Sequence, residues 1–163
     1  MEDWLRALDR GKGVVAVFID YERAFETINR YLLLKKLRNE NGIVDQVYEW
    51  MENYLNERYQ VISFNSSVSK ENEVFHGVQQ ESKLGPLLFI LNVNYLPGVL
   101  NQCKIHLFAD DTLICMSGNN AQNVVNVMND ELSVVSEWLC KNYLGINEQN
   151  SKCMMLKHGR ERI

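Results

Sequence analysis

The run Ile105-His106-Leu107-Phe108-Ala109-Asp110-Asp111-Thr112-Leu113-Ile114-Cys115-Met116 decides the fold. Two strand-like stretches, Ile105 to Ala109 and Thr112 to Met116, are separated by two residues, Asp110 and Asp111. That spacing predicts a tight antiparallel hairpin with two acids at its tip. The apolar flanks put the turn on buried strands that hold it rigidly. Upstream, Gly13 to Asp20 is a Val- and Ile-rich run that ends in an acid, the pattern of a buried strand. Downstream, Ala121 to Lys141 carries Met128, Leu132, Val135 and Leu139 at helical steps. Tyr31 to Arg38, Val44 to Glu57 and Leu84 to Leu96 also read as helices. Arg58 to Phe64 and Val74 to Val78 read as strands joined by the polar stretch Asn65 to Glu73, and a last short strand covers Cys153 to Leu156. Strands and helices mixed on this scale imply an α+β fold, with helices packed on an antiparallel sheet.

The 163 residues are 46% hydrophobic and 23% charged, which predicts one globular domain over 1–163 and excludes a disordered tail or a disulfide-stapled miniprotein. No repeat or Pro-rich linker interrupts the chain. The net charge of -4 argues against a protein that grips nucleic acid through its phosphates, since each neutralised phosphate needs a nearby cation. The N-terminus, Met1-Glu2-Asp3-Trp4-Leu5-Arg6, lacks the form of a secretory signal, and no apolar stretch approaches the roughly 20 residues of a membrane span. The expectation is an intracellular protein with no membrane partner, cytoplasm and nucleus being indistinguishable. Cys103, Cys115, Cys140 and Cys153 are widely spread with no ligand-like spacing, so free thiols are expected rather than a zinc site.

Asp110 and Asp111 admit two readings. Acids are common at hairpin turns because Asp tolerates turn geometry and hydrogen-bonds its own backbone. Alternatively, Asp20 at the end of another buried strand joins them in a carboxylate trio. Such a trio suits Mg²⁺, which takes hard oxygen ligands and leaves room for phosphate oxygens. Two ions about 4 Å apart clamp the attacking and leaving oxygens of a phosphoryl transfer. Spacing alone leaves both readings open.

A longer pattern surrounds these acids. Val17-Phe18-Ile19-Asp20-Tyr21-Glu22-Arg23-Ala24-Phe25 resembles motif A of the reverse transcriptases of non-LTR (LINE- and jockey-like) retrotransposons. Gly77-Val78-Gln79-Gln80-Glu81-Ser82-Lys83-Leu84-Gly85-Pro86-Leu87-Leu88-Phe89 is similar to their motif B, and Phe108-Ala109-Asp110-Asp111-Thr112 to motif C. Leu132 to Met155, with Trp138-Leu139 and Asn147, is similar to the following helix and motif D. Four motifs in series cover about residues 14 to 157. The resemblance implies the palm of a right-hand polymerase, an antiparallel sheet with helices on one face. It implies that Asp20, Asp110 and Asp111 hold two Mg²⁺ ions, or Mn²⁺, as catalytic residues. It implies nucleotide and template contacts at Tyr21, Phe25, Gln80 and Ser82, with Phe25 beneath the incoming sugar. The implied partners are an RNA template, a DNA primer and a dNTP, and the implied reaction is attack of the primer 3′-hydroxyl on the α-phosphate.

The departures are specific. The family's Pro and Gly of motif B are Gln79 and Glu81 here. Glu81 adds bulk and negative charge, and two like charges about 4 Å apart at an effective dielectric near 20 repel by about 4 kcal/mol. The family's motif D lysine is Asn150, with Lys152 two positions on; the second motif A acid is Glu26. The chain opens shortly before motif A and closes after motif D. A palm with fingers and thumb largely absent is therefore expected, with those pieces or another protein as its complement. Two readings compete with a working polymerase palm: a catalytically impaired retroelement relic serving as a binding or scaffold module, and an unrelated α/β metal-binding domain. Elsewhere, Trp4, Trp50 and Trp138 read as core, Lys35-Lys36 as a solvated helix face, His106 as a packed or edge residue, and 158–163 as a frayed tail.

Overall fold

The computed structural model describes residues 2–79 and 82–157. In chain order the helices and strands are α1 (Glu2–Asp9), β1 (Gly13–Ile19), β2 (Tyr21–Glu22), α2 (Arg30–Asn39), α3 (Asp45–Leu55), β3 (Tyr59–Gln60), β4 (Ser63–Phe64), β5 (Ser67–Val68), β6 (Asn72–Glu73), α4 (Gly85–Val93), β7 (Lys104–Phe108), β8 (Asp111–Gly118), α5 (Ala121–Lys141), β9 (Gly145–Ile146) and β10 (Lys152–Leu156). A 3₁₀ turn covers Leu96–Val99. These elements form two compact units, one from Met1–Glu22 with Asn94–Ile163, the other from Arg23–Val93.

The first unit is built on a four-stranded antiparallel sheet in the order β10-β1-β8-β7. β1 is central, and its Val14, Val15, Ala16 and Val17 are all buried. Successive side chains of a strand point to opposite faces, so four buried in a row mean cover on both faces. Each fully buried aliphatic side chain of this kind contributes about 1.5–3 kcal/mol. α5 lies along one face, burying Val124, Met128, Val135 and Leu139. It starts at Asn120, whose side chain accepts from the Asn123 amide at 3.1 Å, an N-cap. α1 adds partial cover against β1 and β8 and ties down through Asp3, whose carboxylate meets the Lys104 ammonium at 2.8 Å. The pairing leaves Phe18 exposed at the far end of β1, beside Leu113 and Lys152 in register.

α5 also buries Glu131, which lies in its apolar stripe. Its carboxylate accepts from the amides of Asn101 and Gln102 at 2.9–3.1 Å, which satisfies the turn leading into β7.

The second unit packs α2 against α3 and α4. Leu33, Leu37, Leu88 and Phe89 are fully buried. Asn29 caps α2 by accepting from the Leu32 amide at 2.9 Å. Here three expectations need correction. Lys36 is not on a solvated face: it is 5% exposed, and its ammonium donates to the Asn92 carbonyl at 2.6 Å and to Asn92 Oδ1 at 3.1 Å. The α2 and α4 backbones approach closely there, and the long stem spans the gap. Trp50 is not core; it is 52% exposed and stacks on Tyr54, with centroids 5.9 Å apart. The return strand predicted at 74–78 lies inside the polar stretch instead: β3 pairs with β6 and β4 with β5. The inner loop is Asn65-Ser66, both at positive φ (45° and 64°), the conformation of a two-residue hairpin turn. The tail 158–163 lies outside the described residues.

Burial pulls the Lys36 amine down to about 8 from its ordinary 10.5, against a smaller opposing pull from Glu40. Below pH 8 the folded and unfolded chains are both protonated at this site, and the folded state carries the whole cost of burying the charge. Between about 8 and 10.5 the unfolded chain binds the extra proton, so stability of this unit is expected to rise with pH. Denaturant midpoints across that range for wild type and Lys36→Met test this. A slope unchanged by the substitution would refute the assignment.

Candidate active site

Register places the acids. Ile19 is paired with Thr112, so Asp20, one residue beyond, and Asp111, one before, occupy adjacent positions at the same end of two neighbouring strands. Neighbouring strands run about 4.8 Å apart. The hairpin tip differs from expectation by one residue. Phe108 pairs with Asp111, so the two-residue loop is Ala109-Asp110, and Asp111 already belongs to β8. Ala109 takes φ +51°, because a two-residue loop must match the right-handed strand twist. Asp110 and Asp111 are exposed and Asp20 is half-buried.

Asp20 is held by its main chain. Its amide donates to Ser151 Oγ at 3.1 Å, and its carbonyl accepts from the Asn147 amide at 2.9 Å. The turn from Asn147 to Ser151 closes on itself through Ser151 N–H to the Asn147 carbonyl at 2.9 Å. The segment read as motif D therefore fastens the acid of motif A. Asn150 lies exposed in this turn. Lys152 follows it, exposed, and donates to the Gln149 carbonyl at 2.7 Å.

Tyr21, on β2, is buried, and its hydroxyl shares a 2.7 Å hydrogen bond with Thr112 Oγ1. Burial raises its pKa, and the Thr112 bond opposes that. It braces the residue that follows Asp111. Asn147 was named from sequence as part of motif D, but the holding roles of Thr112, Asn147 and Ser151 were not. The Asn147–Ser151 turn had a legible signal, an Asn whose side chain meets the amide three residues on, here Asn150 N–H at 3.4 Å.

The carboxylates of Asp20, Asp110 and Asp111 form no ion pair or side-chain hydrogen bond with any described residue. Their donor chemistry, hard oxygens open to solvent at one strand end, fits a divalent cation such as Mg²⁺. The three are not drawn into a closed set: among the described residues no three His, Cys, Asp or Glu side chains are grouped closely enough to hold a metal.

The motif A aromatic and motif B fall in the second unit. Phe25 is half-buried, its ring 5.3 Å from that of Phe89. Gly77 and Val78 donate to the carbonyls of Ile28 and Phe25 at 2.8 and 2.7 Å, which binds the start of motif B to the segment after motif A. Ser82 donates to the Gln79 carbonyl at 2.7 Å and accepts from the Gly85 amide at 2.9 Å, capping α4. Gln80 and Glu81 lie outside the described residues.

An antiparallel sheet with a long helix on one face and acids at the ends of its central strands is a palm-like α+β arrangement. The model of the family described as reverse transcriptase (RNA-dependent DNA polymerase) matches residues 3–161, and the chain belongs to that family. A probable RNA-directed DNA polymerase from transposon X-element of Drosophila melanogaster is 27% identical over 163 residues, covering 96% of this chain and 18% of that protein. A retrovirus-related Pol polyprotein from type-1 retrotransposable element R1 2 of Nasonia vitripennis is 33% identical over 86 residues, 50% of this chain and 20% of that one. These relatives support the non-LTR assignment. Among solved structures, telomerase from Candida tropicalis in complex with a TWJ fragment of telomeric RNA superposes with TM-score 0.71 at 9% identity, over 97% of this chain and 29% of that one, a likeness of fold. The chain spans about a fifth of the length of the curated relatives it matches. Among the described residues no helix is long and apolar enough to cross a membrane.

Proposed function

We propose that the chain is the palm portion of a non-LTR retroelement reverse transcriptase, adding dNTPs to a primer 3′-hydroxyl on an RNA template. The observation that carries this reading is the set of three carboxylates at one end of the β1 and β7–β8 strands, without partners among the described residues. Asp20, Asp110 and Asp111 are the residues that would hold two Mg²⁺ or Mn²⁺ ions. Those ions, when bound, offset the charge of the phosphoryl group in flight and favour the ionised 3′-hydroxyl. The chain's own part is positioning. The Asn147–Ser151 turn fixes Asp20 from both sides of its peptide, and Tyr21 braces Thr112 so that the loop stays in register. Phe25, its ring 5.3 Å from that of Phe89, matches the motif A aromatic that would lie beneath the incoming sugar. Ser82 bonds the Gln79 carbonyl and the Gly85 amide ahead of α4, and Ser82 and Gln80 are the motif B residues that would contact nucleotide or template.

Exposed apolar groups in the first unit, Phe108 at 80% and Met154 and Met155 at 41% each, suit cover by further polymerase subdomains or another protein. A second reading, an impaired palm that only binds, is favoured by Asn150 where the family has lysine and by the tether on Lys152.

Mn²⁺ titration followed by NMR tests the site without requiring turnover. Paramagnetic broadening should begin at residues 19–20 and 109–112. Broadening that begins elsewhere would remove the carboxylate site from consideration. RNA-templated addition of one nucleotide then separates polymerase from impaired palm.

A further inference from the structure

In the second unit the segment from Arg58 to Val74 is a hairpin that stands open to solvent. The Arg58 carbonyl accepts from the Val74 amide at 2.8 Å, β3 pairs with β6, and β4 pairs with β5. Ile62 and Ser69 join the two ladders, the Ser69 amide donating to the Ile62 carbonyl at 2.8 Å. Every residue from Tyr59 to Glu73 is exposed. Among them Tyr59, Val61, Ile62, Phe64 and Val68 are 52–73% exposed. A two-stranded hairpin is marginally stable in water unless a further strand or a helix covers it.

The two edges of this hairpin differ. The register slips by one residue between Gln60↔Asn72 and Ser63↔Val68, which sets Val61 against both Lys70 and Glu71. That is a bulge on the returning strand, which also carries Glu73. Bulges and charges are devices that keep a strand edge from pairing. The outgoing strand, Tyr59-Gln60-Val61-Ile62-Ser63-Phe64, has no charge, no proline and no extra residue. Its outer side pairs with no strand among the described residues. An apolar edge left in this state is a ready pairing surface.

These features fit one occupant, the same segment of a second copy. Antiparallel pairing of a segment with itself is two-fold symmetric, so one unprotected edge serves both partners. The bulged, charged edges then lie outermost and close the assembly at two copies. On a scale of about 150–250 Å² for a whole aromatic side chain, Tyr59, Val61, Ile62 and Phe64 of two copies offer on the order of 1,000 Å², near the lower limit for a specific interface. We propose that the chain forms a two-fold dimer in which the 59–64 edges of two copies pair antiparallel into one continuous sheet.

The test is sedimentation velocity of the nuclease-treated full chain in EDTA across a concentration series, with hydrogen exchange read by mass spectrometry. The mass should rise from one chain to two and stop there, and amide exchange in 59–64 should slow as concentration rises. Salt should leave the association intact or strengthen it, because the edge is uncharged and each copy carries a net charge of -4. Val61→Lys sets two ammonium groups near the two-fold axis and should weaken the dimer at least about tenfold. Phe64→Ser should weaken it at least about fivefold through lost apolar burial. Both side chains are exposed in the single chain, so its circular dichroism should stay as in wild type. Tyr31→Ser, at a 79% exposed position of α2, is the control and should leave association at the wild-type level. A single-chain mass at every concentration would overturn the proposal and leave the edge to a different partner. So would a mass that grows past two chains, association weakened by salt, or a dimer that neither Val61→Lys nor Phe64→Ser weakens.

Discussion

Asp110→Asn is expected to lose divalent-cation binding while leaving the metal-free chain at least as stable as wild type. Asn keeps the turn geometry that Asp provides and removes only the charge. A unit charge 4 Å from another is worth about 1 kcal/mol in water, so about 2 kcal/mol toward a divalent ion even with full screening by solvent. That is more than tenfold in affinity. If the chain catalyses templated addition, losing several kcal/mol of transition-state stabilisation lowers the rate on the order of a thousandfold. The opposite sign on stability follows because none of the three carboxylates has a cation partner among the described residues, so neutralising one relieves repulsion. Titration calorimetry with Mn²⁺ beside a thermal melt in EDTA reads both. Equal cation affinity, or a clear fall in melting temperature with affinity intact, would make Asp110 a turn residue and nothing more.

Gly77→Ala is expected to be among the most damaging single substitutions in the second unit. Gly77 sits at φ +80°, where an L side chain costs about 1–2 kcal/mol. A Cβ there would stand 2.7 Å from the Glu26 carbonyl oxygen, 2.8 Å from Glu26 Cα and 2.9 Å from the Phe25 carbonyl oxygen. All three are backbone atoms, so no side chain can swing aside. Overpacking adds about 1–3 kcal/mol, for a total of about 2–5. Gly42 is the control, at φ +66° with nothing within 4 Å of the added carbon. Urea denaturation should show Gly42→Ala losing the conformational part alone. Equal losses in the two variants would mean that close packing of motif B on the Phe25–Glu26 backbone contributes nothing.

Much of this was legible in the chain. Ala121 to Lys141 was read as one helix and is α5 to the residue, because its apolar repeat and Asn120 cap agree. The strand from Gly13 was legible because a Val-rich run with glycines before it has few alternatives. The hairpin was legible as a hairpin but misplaced by one residue, since alternation along a strand does not mark its last hydrogen-bonded pair. α1 went unread, being a short helix with a single buried residue, Ala7. Trp50 and Lys36 were assigned by side-chain type, and each is an exception that only its neighbours explain. Net charge was the weakest guide. It argued against nucleic acid, yet the chain belongs to the reverse transcriptase family, and a bulk sum is blind to where charges gather.

What the sequence determined by itself is the family, the strand from Gly13, the helix Ala121–Lys141 and the three candidate acids, because these rest on local periodicity and on motifs contiguous in the chain. Only the tertiary structure decided that Asp20 and Asp111 end neighbouring strands in register, that the Asn147–Ser151 turn grips Asp20, and that Tyr21 braces Thr112. Each of these joins residues far apart in sequence, and such pairings are set by sheet register and packing, which no local stretch encodes.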